Sequence, residues 1–228
     1  MIQAKPKVLF FDVNETLLDL AIMKKQVKGA LGGKEDLLSL WFTTMLQYSL
    51  VMSASKQYKP FGYIGAAALQ MVAANNGITL TQEKAREIVV KSMQNLPVHP
   101  EVKEALSVLK NEDYKLVALT NSSKESLKNK FENVGLTNYF DALLSIEAVK
   151  KFKPFTDTYH WAASTMQVKP EECMLIAAHG WDVAGALWAG YRAAFVSRPG
   201  QQVFPLAPQC EINETNLKKV ADILITYN

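Results

Sequence analysis

The sequence predicts an α/β fold in which a doubly wound parallel sheet carries an inserted helical cap subdomain. Short apolar runs recur without polar alternation, which is typical of strands buried on both faces of a parallel sheet. Helical patterns separate the later runs, so strand and helix alternate as in a Rossmann-like sheet. One long segment between the first two runs contains helical patterns and no convincing strand.

The apolar runs are the predicted strands of the core. Start or stop signals mark several of the helices between the later runs. One helix opens at Pro100, and two others end before Gly135 and Gly190. The predicted strands cover residues 7–13, 115–120, 142–145, 173–178 and 192–196, and the predicted core helices cover residues 100–111, 124–134, 155–167 and 182–189.

The segment of residues 18–95 is the predicted cap. Its third helical stretch ends at Gly77, a C-cap signal, and Thr81 is a plausible N-cap of the fourth. A helical insertion after the first strand covers the carboxyl edge of the sheet. We therefore predict a core domain formed by residues 1–17 and 96–228. The helical stretches of the cap cover residues 19–31, 35–57, 61–76 and 81–94.

Composition limits the class of protein. The chain of 228 residues is 49% hydrophobic and 21% charged, which is ordinary for a globular protein. Its net charge of +3 is spread thinly, so the basic patch of a nucleic-acid binder is missing. Cys173 and Cys210 lack metal-ligand spacing, and neither a secretory signal nor a membrane-spanning run is evident. These features predict a soluble cytoplasmic protein that acts on a small molecule and contacts neither nucleic acid nor membrane.

Polar side chains follow each of four predicted strands. Ligands of open parallel sheets bind outside the carboxyl ends of the strands, so these residues are expected to converge there. The set contains acidic, basic and hydroxyl groups, which indicates an active site. Its members are Asp12, Asn14 and Thr16 after the first strand, Thr120, Asn121 and Ser122 after the second, Lys153 after the third, and His179 and Asp182 after the fourth.

Asp12 is the candidate nucleophile. A carboxylate beside a buried strand is costly unless it is paired, and Lys153 is the expected partner, with Lys150 and Lys151 as rival assignments. A nearby cation lowers the pKa of the carboxyl group and keeps it ionised, which suits covalent catalysis in two steps. We therefore predict that Lys153 and Asp182 lie within salt-bridge reach of Asp12.

The ordered motifs resemble those of the haloacid dehalogenase superfamily. Its first motif has Asp and Thr separated by three residues, as in Asp12 and Thr16, and is followed by Ser/Thr, Lys and Asp motifs in this order. Within the superfamily the chain most resembles the type II L-2-haloacid dehalogenases, over almost its whole length. The matching pieces are Leu40-Trp41, Gln47-Tyr48, Leu119-Thr120-Asn121, Phe152-Lys153-Pro154 with Tyr159, and Trp181-Asp182 with Gly185-Ala186.

The resemblance implies a role for each matched residue. Asp12 would attack the carbon that bears the halogen, Thr16 would orient Asp12, and Lys153 would balance charge. Asp182 would position Lys153 and the water that hydrolyses the resulting ester. No metal or other cofactor would be required. The oligomeric state stays open from the sequence, although an apolar face of a helical cap often supports a homodimer. The implied substrate-binding residues are Thr120, Asn121, Phe42, Tyr159 and His179.

Two positions depart from the pattern of the dehalogenases. Phe42 stands where they carry an arginine that contacts the substrate carboxylate and the departing halide. His179 replaces an asparagine before Trp181-Asp182 and is a candidate compensating cation, charged below about pH 6.5 if its pKa is unperturbed. We expect weak turnover of haloacids, and a gain on replacing Phe42 by Arg.

Two other functions remain open from the sequence. A phosphatase of the same superfamily would need magnesium and a general acid, yet the general-acid position is Asn14 and the acidic position four residues before Asp182 is Ala178. The third reading is a binding protein that retains the fold without catalysis. Turn or cap chemistry alone would also explain Thr16, Thr120 or Asp182 taken singly.

Overall fold

The computed structural model describes residues 4–228, so the first three residues of the predicted core segment lie outside the described part of the chain. Six strands form one parallel sheet with the order β3-β2-β1-β4-β5-β6. The predicted strands are confirmed, with trimmed ends at the first and fourth. The strands are β1 (Val8–Phe11), β2 (Lys115–Thr120), β3 (Ala142–Ser145), β4 (Cys173–Ala177), β5 (Arg192–Val196) and β6 (Ile212–Glu214).

The register of the sheet brings polar residues together at its carboxyl edge. Phe11, the last residue of β1, pairs with Ala118 of β2 on one side and Ile176 of β4 on the other. Asp12 follows at once, and its backbone N–H donates to the carbonyl of Ile176 at 3.0 Å. Every residue of β1 and β4 is buried, as their continuous hydrophobicity requires. The predicted edge is therefore the place where the site can form.

The core helices flank this sheet. The helix predicted from Asp182 begins two residues earlier, so Asp182 lies in the first turn and is not its N-cap. The sequence reading missed β6, which has only three residues, and the helix after it. The core helices are α5 (Val102–Asn111), α6 (Lys124–Val134), α7 (Thr156–Thr165), α8 (Gly180–Trp188) and α9 (Leu217–Leu224).

The cap segment, residues 18–95, contains helices as predicted. Thr81 caps α4 by accepting a hydrogen bond from the N–H of Lys84 at 3.2 Å. The two connections to the core run side by side, because the N–H of Asp19 donates to Pro97 at 2.7 Å. The division of the chain into two domains stays a prediction. The cap helices are α1 (Ala21–Ala30), α2 (Glu35–Ala54), α3 (Phe61–Asn75) and α4 (Gln82–Arg86), which continues as a π-helical segment, Glu87–Lys91.

Close packing of α2 against α3 gives the cap its interior. The buried Trp41 donates its indole N–H to the carbonyl of Gly65 at 2.8 Å. By length and composition alone, α2 is apolar enough to cross a bilayer, which the sequence reading did not anticipate. Its inner residues, among them Trp41 and Met45, pack inside the cap, and packed helices of globular proteins pass the same test.

Glycine at position 185 lets α8 approach the segment that carries Lys153. A Cβ at Gly185 would lie 2.3 Å from the Cβ of Pro154 and 2.9 Å from the hydroxyl of Tyr159. We predict that Gly185→Ala lowers the free energy of unfolding by about 1–3 kcal/mol, because the overpacked atoms must move apart. The change is measured as a lower urea midpoint.

Gly29 supplies the matched control in a helix. A Cβ there would meet nothing within 4 Å. Gly29→Ala should therefore stabilise the protein by about 0.5–1 kcal/mol, because alanine restricts the unfolded chain. An unchanged midpoint for Gly185→Ala would show that α8 packs more loosely on Pro154 than the structure indicates.

Candidate active site

Asp12 lies at the centre of a buried polar network directly after β1. Its side chain is 5% exposed. Oδ1 accepts a hydrogen bond from Nζ of Lys153 at 2.8 Å, and Oδ2 accepts one from the hydroxyl of Thr16 at 2.8 Å. Thr16 in turn accepts the N–H of Ala178 at 2.9 Å, which fixes its hydroxyl toward Asp12. Burial alone would raise the pKa of Asp12, but Lys153 and His179 hold it well below its usual range.

Lys153 joins the ends of three strands. Its buried ammonium group contacts Asp12, the carbonyl of Leu119 at 3.0 Å and Oδ2 of Asp182 at 2.5 Å. Burial disfavours the charge, yet the two carboxylates more than offset this and raise the pKa of Lys153. The prediction of a salt bridge to Asp12 is confirmed. The rival Lys151 pairs with Asp157 at the surface.

Asp182 is fully buried, with both oxygens hydrogen-bonded. Lys153 occupies Oδ2, and the hydroxyl of Tyr159 donates to Oδ1 at 2.6 Å. Burial is the largest influence on this carboxyl group and raises the pKa of Asp182 against the opposing effect of Lys153. Tyr159 therefore supports Asp182 and does not line the cavity over Asp12. Thr120, also predicted to bind substrate, is buried and accepts the N–H of Ser122 at 3.1 Å.

His179 bridges two carboxylates. Nδ1 lies 3.2 Å from Oδ2 of Asp12, and Nε2 lies 3.1 Å from Oε2 of Glu15. Glu15 was not singled out from the sequence, although it lies within the first motif. It is 5% exposed and also contacts Lys24 and the side-chain amide of Gln201, the latter at 2.9 Å.

Burial disfavours charge on His179, but the hydrogen bonds and attraction from Asp12 and Glu15 prevail and raise its pKa to about 9. The expectation that His179 is charged only below about pH 6.5 is therefore wrong. The pKa of Glu15 falls to about 2, because His179 and Lys24 outweigh the effect of burial. At neutral pH the three groups are two carboxylates and an imidazolium.

Two aromatic rings enclose His179. Both rings stack on the imidazole, Phe42 with a centroid separation of 5.9 Å and Trp181 with one of 5.2 Å. An arginine in place of Phe42 would set a guanidinium against an imidazolium. The structure therefore argues against the expectation that Phe42→Arg raises turnover.

The cavity above Asp12 is small and mostly apolar. It encloses about 20 Å³, the room of about one water molecule. Two buried donors of its wall, Nδ2 of Asn121 and Nε1 of Trp181, have no partner among the described residues. Unpaired buried donors are costly, so they are suited to an incoming acceptor. The lining residues are Asp12, Asn14, Leu20, Met23, Phe42, Leu46, Phe61, Met93, Asn121, His179 and Trp181.

Lys130 is a further buried cation that the sequence reading missed. Its Nζ donates to Oδ1 of Asn14 at 3.0 Å and to the hydroxyl of Ser122 at 3.3 Å. Within residues 4–228 no carboxylate lies within ion-pair distance of it. Burial lowers the pKa of Lys130 to about 8, with partial compensation by Asp12. Since α6 is an amphipathic surface helix, a lysine in its pattern would ordinarily be solvated.

The residues present do not fit a magnesium site. Ala178 offers no oxygen side chain where a phosphatase would place an acid, and Lys153 already occupies one oxygen each of Asp12 and Asp182. Across residues 4–228 no group of three or more acidic, His or Cys side chains is arranged to hold a metal ion.

A family model described as haloacid dehalogenase-like hydrolase matches residues 6–190, most of the chain. The chain belongs to the haloacid dehalogenase-like hydrolases. It is thus a hydrolase, and the fold inferred from the motifs is confirmed.

Relatives within this family include haloacid dehalogenases. (S)-2-haloacid dehalogenase 1 of Pseudomonas sp. strain CBS-3 is 26% identical over 201 residues, which cover 87% of this chain and 88% of the relative. L-2-haloacid dehalogenase from Xanthobacter autotrophicus, solved with chloropropionic acid covalently bound, superposes with a TM-score of 0.86 at 22% identity and covers 96% of this chain and 98% of its own.

The fold also occurs in a protein described as a phosphatase. A structure described as a predicted phosphoglycolate phosphatase from Haemophilus somnus has a TM-score of 0.69 and 15% identity, and covers 95% of this chain and 97% of its own. Fold alone therefore does not separate the two chemistries, and the side chains of the site must do so.

We predict that His179 titrates near pH 9, because its imidazolium is held by Asp12 and Glu15. Its stabilising contribution is then fully present below about pH 6.5 and lost as pH rises through about 9. The difference in unfolding free energy between wild type and His179→Gln should shrink over this window. NMR titration of the ring protons measures the pKa directly.

His99 is the internal control for this titration. Burial and Arg198 lower its pKa, so its ring should titrate on the opposite side of the ordinary value for histidine. A measured pKa of His179 near or below the ordinary value for histidine would contradict the geometry in which its ring bridges Asp12 and Glu15.

Proposed function

We propose that the protein hydrolyses a small 2-haloacid or a related substrate through a covalent ester on Asp12, without a metal ion. The observation that carries this proposal is an ionised carboxylate that lines a small, mostly apolar cavity and is held by Lys153. A desolvated, oriented carboxylate is a competent nucleophile toward saturated carbon. The names of the relatives support the same class of substrate.

In the first step, one oxygen of Asp12 bonds to the substrate carbon while the leaving group departs with the electron pair of its bond. Thr16 and Lys153 hold the carboxylate in place. Asn121 and Trp181 line the cavity, and their unpaired N–H groups are the proposed donors to the departing halide. Donors aimed at a developing negative charge lower the barrier most when water is excluded.

In the second step, water adds to the carbonyl carbon of the ester. Lys153 remains beside the carboxyl oxygen and stabilises the negative charge that develops there. Asp182 and Tyr159 act behind Lys153 by fixing the position of its ammonium group. Collapse of the adduct restores Asp12 and releases the hydroxy acid.

In this proposal, the positive charge that attracts an anionic substrate is that of Lys130, which lies behind the cavity wall. The guanidinium of the dehalogenase pattern is absent at Phe42, and His179 is saturated by Asp12 and Glu15. Lys130 has no contacting carboxylate and polarises Asn14, which lines the cavity. The side-chain oxygen of Asn14 accepts from Lys130, and its Nδ2 donates to the hydroxyl of Ser122 at 3.3 Å, which leaves one amide N–H as the proposed donor to the substrate.

Two broader assignments are also proposed. Apolar side chains exposed on the cap, including Leu50 and Val51 of α2 and Tyr63 of α3, would be covered in a homodimer. A location in the cytoplasm agrees with two free cysteines, one of them buried.

We predict that the wild-type protein releases halide from one of the short 2-haloacids, and that Asp12→Asn abolishes this release because it removes the nucleophile. A single turnover in heavy-oxygen water should place the label in Asp12, detected by mass spectrometry of its peptide. Asp222→Asn, on the exposed face of α9, is the control and should leave the rate unchanged.

The substrate panel contains chloroacetate, both enantiomers of 2-chloropropionate and p-nitrophenyl phosphate, each with and without magnesium. If the heavy-oxygen label were found only in the product, water would attack the substrate directly and no ester on Asp12 would form. Phosphate release that requires magnesium would favour a phosphatase. Inactivity of the wild type on the whole panel would favour a binding protein.

We predict that Lys130→Met raises KM for 2-chloropropionate roughly tenfold, since one charge-assisted interaction contributes about 1.5 kcal/mol. The KM for the neutral 2-chloropropionamide should change little. Lys128→Met is the matched control, because Lys128 lies on the exposed face of the same helix. An equal change in KM for the anion and the amide would show that Lys130 acts on packing and not on charge.

A further inference from the structure

Asp12, His179 and Glu15 form a line of hydrogen-bonded groups. The imidazole contacts the nucleophile through Nδ1 at 3.2 Å and a second carboxylate through Nε2 at 3.1 Å. A nucleophile, a base within hydrogen-bond reach of it and a third group that orients the base are the geometric signature of an assisted covalent mechanism. The resemblance of the sequence assigns no such role to either His179 or Glu15.

We propose that His179 is the general base that takes a proton from the water attacking the Asp12 ester, and that Glu15 orients it. This inference rests on the proposed ester mechanism and adds the group that drives its second half. His179 is then a catalytic residue, whereas Glu15 is a positioning residue.

The backbone of Glu15 shows that its placement is specific. Its φ of 65° lies in the left-handed region, which is uncommon for a residue with a side chain and costs of order 1 kcal/mol or more. The conformation turns the side chain under His179, where Lys24 and Gln201 hold its carboxylate. The surrounding structure thus maintains a strained residue at the point where the ring needs an acceptor.

Glu15 also selects the useful tautomer of neutral His179. A carboxylate at Nε2 keeps the proton on that nitrogen, so the lone pair resides on Nδ1, which faces Asp12. The stacked rings of Phe42 and Trp181 prevent the imidazole from tilting away. The basic nitrogen therefore points at the carboxyl group whose ester is to be hydrolysed.

Formation of the ester changes the charge that surrounds His179. In the free enzyme both Asp12 and Glu15 hold the ring in its protonated form. Alkylation neutralises Asp12, which removes one of the two anions, while Glu15, with Lys24 beside it, remains. Lys153, on the far side of Asp12, then disfavours charge on the ring. The first step thereby lowers the pKa of His179 and releases its proton to solvent, which makes it a base when one is needed.

The proton balance closes over the two steps. Neutral His179 accepts a proton from water as the water oxygen bonds to Cγ of Asp12. The tetrahedral adduct collapses with cleavage of the bond between Cγ and the ester oxygen, and the departing alkoxide takes the proton from His179. Asp12 emerges as a carboxylic acid and passes its proton to His179, which restores the starting ion pair. Each turnover thus releases one halide ion and one proton.

The other groups that contact Asp12 are less suited to this task. Lys153 is protonated and donates to three acceptors, and Thr16 is engaged by Asp12 and Ala178. Asp182 does not line the cavity, and both of its oxygens are occupied. Within the described residues, His179 alone lines the cavity and also places a ring nitrogen within hydrogen-bond distance of the Asp12 carboxyl group.

The test separates the two steps with 2-bromopropionate as probe. For His179→Gln we expect a burst of at most one bromide per protein molecule, accumulation of a propionate adduct on Asp12, and a steady-state rate lower by roughly 10²–10⁴-fold. Rapid quench with intact-protein and peptide mass spectrometry measures all three. His160→Gln is the matched control, because that ring contacts the carbonyl of Ala189 away from the cavity, and it should turn over normally.

A second variant distinguishes loss of the base from misfolding. His179→Ala leaves the space of the imidazole ring beside Phe42 and Trp181 unfilled. Added imidazole should therefore restore hydrolysis of the accumulated adduct, at a rate that rises as imidazole loses its proton. Glu15→Gln should slow hydrolysis of the adduct more than bromide release.

Three outcomes overturn the inference. The first is turnover of His179→Gln at the wild-type rate. The second is loss of both the bromide burst and turnover in His179→Gln, with no adduct formed. The third is an adduct of His179→Ala whose hydrolysis does not respond to imidazole. The absence of both bromide and adduct in the wild type would instead overturn the proposed function, and this inference with it.

Discussion

The ammonium group of Lys153, buried between Asp12 and Asp182, is the interaction on which the site depends. Each member of this triad would be costly alone in the interior, because desolvation of an unpaired charge outweighs most single contacts. Together they stabilise one another, and they require the ends of β1, β2 and β4 to lie side by side. The parallel sheet satisfies that requirement through its register. Removal of one partner leaves the others buried and uncompensated, so the triad also restricts which substitutions the core accepts.

Much of this arrangement could be predicted from the sequence, and the reason is local. Strands buried on both faces leave continuous apolar runs, and the polar residues that follow them must meet at one edge. This reasoning predicts Asp12, Lys153 and Asp182, because each lies beside an apolar run or within one of the ordered motifs of the superfamily. The apolar run of β6 is too short to be recognised, because the strand has only three residues. The helix after it, α9, was not predicted either.

Glu15 and Lys130 were missed for a different physical reason. Their importance comes from the environment and not from the pattern. Glu15 reaches His179 only because its backbone adopts a left-handed conformation, and Lys130 is buried only because α6 turns it toward Asn14. A charged residue in a surface helix or a turn is ordinarily solvated, so nothing in the sequence distinguishes these two. The sequence does not reveal the charge on His179 either, because the pKa of this ring depends on the positions of two carboxylates.

The cap contributes to the chemistry through closure. A cavity of about 20 Å³ has room for about one water molecule and not for a haloacid, so the proposed reaction requires the cap to move from the sheet edge. Two contacts of His179 and Glu15 come from the cap, namely the ring of Phe42 and the ammonium of Lys24. Such a motion would remove both, while the contacts of His179 with Asp12 and Trp181 and the contact of Glu15 with Gln201 would remain, because they lie outside the cap. Closure expels water, strengthens the attraction between the remaining charges and restores the stacked ring. The same motion that encloses the substrate would therefore restore the cap contacts of His179 and Glu15, the pair proposed to hydrolyse its ester.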